Sequence, residues 1–210
     1  MGNVCKATMQ ISKSHRHTFL ELKVREARKA GVPLCLMTSP ATDEAIRAHL
    51  KDTGLEGSDL HLFCQTMLPA LDASGRIFTE LNAQGEAAPY LYPPGHGQWF
   101  ALFKDSGLLK KMLDRGVTDA FFSNIDNIGA RPNADILLAH RQSGNAATFE
   151  VAGRSPSDKP TGYPALIDGQ VEIGEKLPAG QDIKNYPLIN TNNAWFNLKA
   201  LADTAFELPY

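Results

Sequence analysis

Three short polar segments interrupt apolar runs in this chain, and their residue types suit the holding of a phosphorylated, hydroxyl-rich ligand. The first is YPPGHG, Tyr92 to Gly97. Two prolines stiffen its approach, and two glycines let backbone come close to a ligand. His96 stands between those glycines with a freely placed imidazole. The same residues also read as a rigid turn before a helix. The second segment is SNIDN, Ser123 to Asn127, directly after the apolar Ala120-Phe121-Phe122. That position is the carboxyl end of a strand, where open α/β sheets bind ligands. Its amides can bond a ribose, and Asp126 can hold Mg²⁺ beside phosphates. A polar turn using Asn and Asp for local bonds is the competing reading. The third segment is INTNNAW, Ile189 to Trp195, where three amides sit among apolar residues as turn-formers or as readers of sugar hydroxyls. Lys6, after a short glycine-containing segment, has the charge to neutralise a phosphate, although a lone lysine is also an ordinary surface residue.

Other chemistries leave no trace. The chain has no GxSxG, no CxxC, no Ser/His/Asp constellation and no complete GxGxxG, which weighs against a dehydrogenase. Its six histidines lack metal-ligand spacing.

The elements that must position these segments follow from apolar periodicity. A helix is expected over residues 17–30, with Phe19, Leu20, Leu22, Val24 and Ala27 on one face and Gly31 as its stop. A buried strand, PLCLM, follows as the second half of a βαβ unit. Thr42 is placed to cap the next helix, and HLFCQTMLP reads as one strand. Residues 72–97 are so rich in turn-formers that they read as one long functional loop. Helical pattern resumes from Gln98 with a break at Ser106-Gly107. The strand DAFF, the helix NADILLAHRQSG, the strand ATFEVAG, an Asp168-Gly169 turn and a last apolar stretch follow. Strands alternating with helices predict α/β with a mostly parallel sheet.

Composition agrees. The chain has 210 residues, 43% of them hydrophobic and 21% charged, which suits a globular domain that needs no disulfides to fold. Net charge is −2 without a basic stripe, so neither a nucleic-acid partner nor a membrane is expected. Three widely spaced cysteines and no apolar leader segment read as a cytoplasmic protein.

Taken together, CKATMQIS, PLCLMTS, FCQTMLP, YPPGHG, SGLL, SNIDNIGA, SDKPTGYPALIDGQVEIGE and NTNNAWFNLKAL resemble the UTP–glucose-1-phosphate uridylyltransferase family, which includes UDP-N-acetylhexosamine pyrophosphorylases. They occur in family order from about Lys6 to Leu201. The resemblance implies a Rossmann-like, GT-A-like nucleotidyltransferase core with a mostly parallel mixed sheet, residues 1–210 forming one catalytic-core domain. It implies that UTP and a sugar 1-phosphate, glucose 1-phosphate first among them, give UDP-sugar and pyrophosphate with Mg²⁺. By match, Met37, Thr38, Gln65 and Gly95 would line the uracil, and Asn124 would meet the ribose. His96 would face phosphates and sugar, Asp126 would hold the metal, and Lys6 would meet phosphate. Gly162, Glu175, Asn190 and Asn192 would read the sugar.

Such a reaction needs no protein nucleophile, because positioning and charge screening carry it. Departures from the family pattern are equally specific. Only Met1-Gly2 stands where the glycine-rich loop is expected, and Thr161-Gly162 replaces paired glycines. Pro187 replaces a basic residue, and the chain stops ahead of the family's later lysine and carboxyl-terminal domain. Weak or absent activity of the isolated chain is therefore expected, and a non-catalytic UDP-sugar-binding relative is the alternative.

Overall fold

The computed structural model describes residues 5–204 apart from 13, 15, 157, 159, 160, 168, 178 and 179. Met1-Gly2, His15, Lys159, Pro160 and Asp168 thus lie outside the described residues. The chain divides into two compact units, one running to Asp114 and one spanning Arg115–Thr204.

In the first unit a 3₁₀ turn, Lys6–Thr8, packs against helix α1, Phe19–Ala30. The Thr18 hydroxyl caps α1 by accepting from the Glu21 N–H, and Gly31 ends it in the left-handed conformation. Strand β1 (Leu34–Thr38), helix α2 (Asp43–Asp52) and strand β2 (Leu60–Cys64) form a βαβ unit with the two strands parallel and in register. The apolar run at Leu34 is therefore the first strand of this unit, as well as the strand that follows α1. Thr42 does not cap α2 with its side chain, which instead bonds Ser39.

The expected strand through Pro69 is two. β2 stops at Cys64, and β3, Leu68–Pro69, starts after it. Residues 72–97 are not one loop but short antiparallel ribbons: β4 (Thr79–Leu81) pairs with β5 (Ala87–Pro89), and β6 (Leu91–Tyr92) pairs with β3. The turn-formers explain this. Asn82 Oδ1 accepts from the Gln84 and Glu86 N–H groups, and Asp72 Oδ1 does the same for Ser74 and Arg76. A 3₁₀ turn, His96–Gln98, leads into α3 (Trp99–Asp105) and α4 (Leu108–Asp114), broken at Gly107 as expected. Leu20, Val24, Ile46, Leu50, Phe63 and Phe103 lie in the core of this unit.

The second unit comprises β7 (Asp119–Phe122), α5 (Ala134–Ser143), β8 (Ala147–Gly153), β9 (Tyr163–Ile167), β10 (Gln170–Gly174), a 3₁₀ turn (Ile183–Asn185), β11 (Leu188–Asn197) and α6 (Leu198–Asp203). β9 and β10 form a hairpin. β11 lies between β7 and β8 and runs antiparallel to both. Among the described residues the only parallel pair is β1–β2, so the expectation of a mostly parallel sheet does not describe the pairing. The reason is topological. Two strands antiparallel to a common neighbour run the same way, so β7–α5–β8 reads as a parallel crossover in sequence. The strand inserted between them comes from more than forty residues later, beyond the reach of local periodicity. His140, fully buried, ties α5 to this sheet through Thr148 Oγ1 at 2.7 Å. Among the described residues no helix is long and apolar enough to cross a membrane.

One buried carboxylate joins α1 to α2. Glu21 meets His17 Nδ1 at 3.0 Å and His49 Nε2 at 3.2 Å. Burial alone would raise its pKa, but the His17 hydrogen bond and the nearby His49 charge hold it below its ordinary value near 4.5. A carboxylate that titrates lower when folded stabilises fully above its unfolded pKa, and that contribution disappears as pH falls through the folded value. Glu21→Gln should therefore cost about 1 kcal/mol at pH 7. Urea melts across pH should show the two proteins converging as pH falls below 4.5; a gap that persists in acid would contradict this assignment.

Candidate functional site

The βαβ unit brings the carboxyl ends of β1 and β2 side by side, Thr38 opposite Cys64. The next residue, Gln65, donates its N–H to the Thr38 carbonyl at 2.8 Å, and its Nε2 donates to the Gly95 carbonyl. Thr38, Gln65 and Gly95 thus form one hydrogen-bonded string, although they lie up to 57 positions apart in number. Gly95 has φ 99° and ψ −170°, a backbone state open to glycine and closed to side-chain-bearing residues. Met37 precedes Thr38 on β1, half-buried opposite Phe63. Thr38 is buried, its hydroxyl donating to Asp43 Oδ1 at 2.6 Å and its carbonyl taken by the Gln65 N–H. His96 follows Gly95 at the start of the 3₁₀ turn and is exposed. Lys6 is also exposed, at the other 3₁₀ turn of the unit.

In the second unit, β11 carries a bulge. Asn190 faces Val151, yet Asn193 faces Glu150, so two residues of β11 have no counterpart on β8. One of them, Asn192, adopts φ 58°, the left-handed region that asparagine tolerates better than other side chains. The Asn190 side chain supports the turn by accepting from the Asn192 N–H at 3.1 Å. The bulge throws the Asn192 amide toward the end of β7, where Nδ2 donates to Asn124 Oδ1 at 2.9 Å. Asp126 lies in the tight turn that follows, half-buried, with the Asn127 N–H closing back on the Asn124 carbonyl at 3.2 Å.

Gly162 joins the same group from the other side. Its carbonyl accepts the Asn190 N–H at 2.7 Å, and a Cβ there would stand 3.3 Å from Ile173 Cγ2. Glycine at this position lets the strand approach. Asn124, Asn190, Asn192 and Gly162 therefore come together, with Asp126 beside them. Glu175 is placed differently, exposed in the bend after β10.

The model of the UTP–glucose-1-phosphate uridylyltransferase family covers residues 1–208. The chain belongs to this family.

A uridylyltransferase relative from Dictyostelium discoideum, UTP–glucose-1-phosphate uridylyltransferase 2, is 29% identical over 197 residues, which are 88% of this chain and 39% of that protein. The solved UDP-glucose phosphorylase of Trypanosoma brucei superposes with a TM-score of 0.79 at 27% identity, covering 94% of this chain and 46% of the other. A UDP-glucose pyrophosphorylase mutant of Leishmania major, solved in complex with UDP-glucose, gives a TM-score of 0.72 at 24% identity over 93% of this chain and 46% of the other, and supports the fold. The chain thus spans about two fifths of the length of the curated uridylyltransferase relative.

Of the polar residues in the amide group, Glu150 escapes the sequence reading, whereas Asn127 and Asn193 are read there as ligand-facing amides and not as a bonded pair. Asn127 and Asn193 lie within SNIDN and NTNN, yet reach one another only through the bulge. Glu150 sits in a strand whose alternation marks it as surface. Its one available signal was a carboxylate between Phe149 and Val151 in an otherwise apolar run.

The backbone of Asn192 separates conformation from chemistry. Asn192→Ala should destabilise the fold by about 1–2 kcal/mol, since alanine resists positive φ. Asn192→Gly should stay within about 0.5 kcal/mol of the wild type. Urea titrations of both variants check this; equal losses would show that the left-handed backbone is not the constraint.

Proposed function

We propose that this chain is the catalytic core of a uridylyltransferase that moves UMP from UTP to a sugar 1-phosphate, releasing pyrophosphate. The observation that carries the reading is the Asn192–Asn124 bond, which joins the two amide segments at the carboxyl end of β7. Family membership supplies the reaction class. The UDP-glucose held by the Leishmania major neighbour makes glucose 1-phosphate the first sugar to test. Residues 1–210 are read as one catalytic-core domain of Rossmann-like, GT-A-like type, β1–α2–β2 being its parallel portion. The odd number of widely spaced cysteines supports a cytoplasmic setting.

In the first unit, the Gln65 carboxamide offers a donor and an acceptor, the complement of the uracil N3–H and its carbonyls. Gly95 and the Met37–Thr38 backbone border the same base. In the second unit, Asn124 takes the ribose, while Gly162, Asn190, Asn192 and Glu175 serve the sugar hydroxyls. His96 and Lys6 carry the donors assigned to phosphate oxygens.

The chemistry is an in-line displacement. A phosphate oxygen of the sugar phosphate forms a bond to the α-phosphorus of UTP as the bond to pyrophosphate breaks. Residues that orient both polyanions and offset their charge lower the barrier, and no covalent protein intermediate is required.

Mg²⁺ fits the donor set at Asp126. Among the described residues no three His, Cys, Asp or Glu side chains are grouped to cage a metal. One carboxylate shared with substrate phosphates is the habit of Mg²⁺ at nucleotide sites. Asp126 would hold the ion, which would supply Lewis-acid screening of the phosphate oxygens.

Coupled pyrophosphate release from UTP, glucose 1-phosphate and Mg²⁺ tests the reaction, with Asn124→Ala and Asp126→Asn as controls. Calorimetry with UDP-glucose should show Asn124→Ala binding about tenfold more weakly, the worth of one hydrogen bond. Unchanged affinity would remove Asn124 from the site. Tight UDP-glucose binding without any turnover would turn the reading to a non-catalytic binding protein.

A further inference from the structure

Behind the amide group runs a chain of hydrogen bonds whose direction is fixed at both ends. The Ala130 backbone N–H donates to Asn127 Oδ1 at 3.2 Å. Asn127 Nδ2 donates to Asn193 Oδ1 at 3.2 Å, and Asn193 Nδ2 donates to Glu150 Oε2 at 3.4 Å. Glu150 Oε1 accepts from the Trp195 indole N–H at 3.0 Å. A backbone N–H and an indole N–H can only donate. The two amides between them therefore have one permitted orientation each, and the residue that closes the chain must accept on both of its oxygens. An ionised carboxylate does so, and a carboxamide does not.

The participants are well shielded. Ala130, Asn193 and Trp195 are buried, while Glu150 and Asn127 are half-buried. Glu150 holds the bulge a second time through its carbonyl, which accepts the Thr191 hydroxyl at 2.8 Å. Thr191 Oγ1 in turn receives the Asn193 N–H at 3.4 Å. One residue on β8 thus grips both sides of the bulge and, through Asn193 and Asn127, the turn that carries Asn124 and Asp126.

We propose that Glu150 is the positioning residue of the site, its carboxylate setting the direction of the amide chain that holds the Ser123–Asn127 turn against the β11 bulge. This rests on the reading of Asn124 and Asp126 as ligand-binding groups. Glu150 itself touches no substrate in the proposal.

A fixed hydrogen-bond direction responds to substitution in a way that plain structural damage does not imitate. In Glu150→Gln the new carboxamide keeps one acceptor for Trp195 and turns its NH₂ against the Asn193 NH₂. Reorienting Asn193 moves the clash to Asn127, and reorienting Asn127 sets its NH₂ against the Ala130 N–H, which then keeps only the Asn127 carbonyl, at 3.2 Å, as its acceptor. Adding Asn193→Asp restores the chain, because the moved carboxylate accepts from the glutamine amide on one oxygen and from Asn127 Nδ2 on the other.

Two readouts on the full chain keep the outcomes apart. Without ligand, the backbone ¹H–¹⁵N signals of Ser123–Asn127 should move in Glu150→Gln and return in the double variant. With UDP-glucose, the dissociation constant should rise about tenfold in Glu150→Gln at unchanged sites per folded molecule, and return to within about threefold in the double variant. Should Glu150→Gln not fold, Asn127→Asp, which sets two acceptors face to face in the turn, should move the same signals. Signals of Ser123–Asn127 that stay in place in a folded single variant, or that the double variant does not bring back, would overturn the proposal. A wild-type chain that does not bind UDP-glucose would count against the functional reading alone, since the ligand-free signals still decide the role of Glu150.

Discussion

A two-residue bulge in β11 is the constraint around which the second unit is organised. A regular strand between β7 and β8 would point alternate amides of the NTNN segment to opposite faces. With Thr191 and Asn192 left unmatched, the ladder resumes at Asn193, and Asn192 turns over into positive φ. Asn192 can then reach Asn124 at the end of β7, while Asn193 turns inward to Asn127 and Glu150. Adjacent asparagines thus take different roles, Asn192 turned toward Asn124 and, in the proposed reading, a ligand, and Asn193 turned inward for support. Left-handed backbone at a non-glycine residue costs roughly 1–2 kcal/mol, which the converging hydrogen bonds offset.

The first unit solves a simpler problem by different means. Parallel pairing of β1 with β2 sets two strand ends together, so a residue just past one end can bond backbone at the other. Gln65 does this with its backbone N–H, and one hydrogen of its Nε2 goes to the Gly95 carbonyl. The glycine conformation there excludes a side chain, leaving backbone to line the position proposed for uracil. Rigid backbone and one amide suffice for a flat ligand read at its edge.

The sequence made local features legible and long-range pairing obscure. The helices at Phe19 and Ala134, the break at Gly107 and the turn after Phe122 follow from capping residues, apolar spacing and glycine, each decided within a few positions. The place of β11 between β7 and β8 does not, since its partners lie about seventy and forty residues away in sequence. The hairpins within residues 72–97 were hidden by their own turn-formers, which outnumber the short strands they join. Within the site, SNIDN, NTNN and YPPGHG could be singled out because amides, glycines and a histidine are conspicuous beside apolar runs. Glu150 could not, because a glutamate in an alternating strand looks like any solvated charge until Trp195 and Asn193 are placed against it.

The central claim is that the bulge and the β7 turn present Asn192 and Asn124 together to a nucleotide sugar. Side-chain amide NMR during a UDP-glucose titration tests it most directly. The account predicts that the Nδ2 proton signals of Asn124 and Asn192 shift together and saturate at one binding constant, while those of Asn133 and Asn145 stay in place. Saturable binding that leaves Asn124 and Asn192 unmoved, or no binding at all, would contradict it.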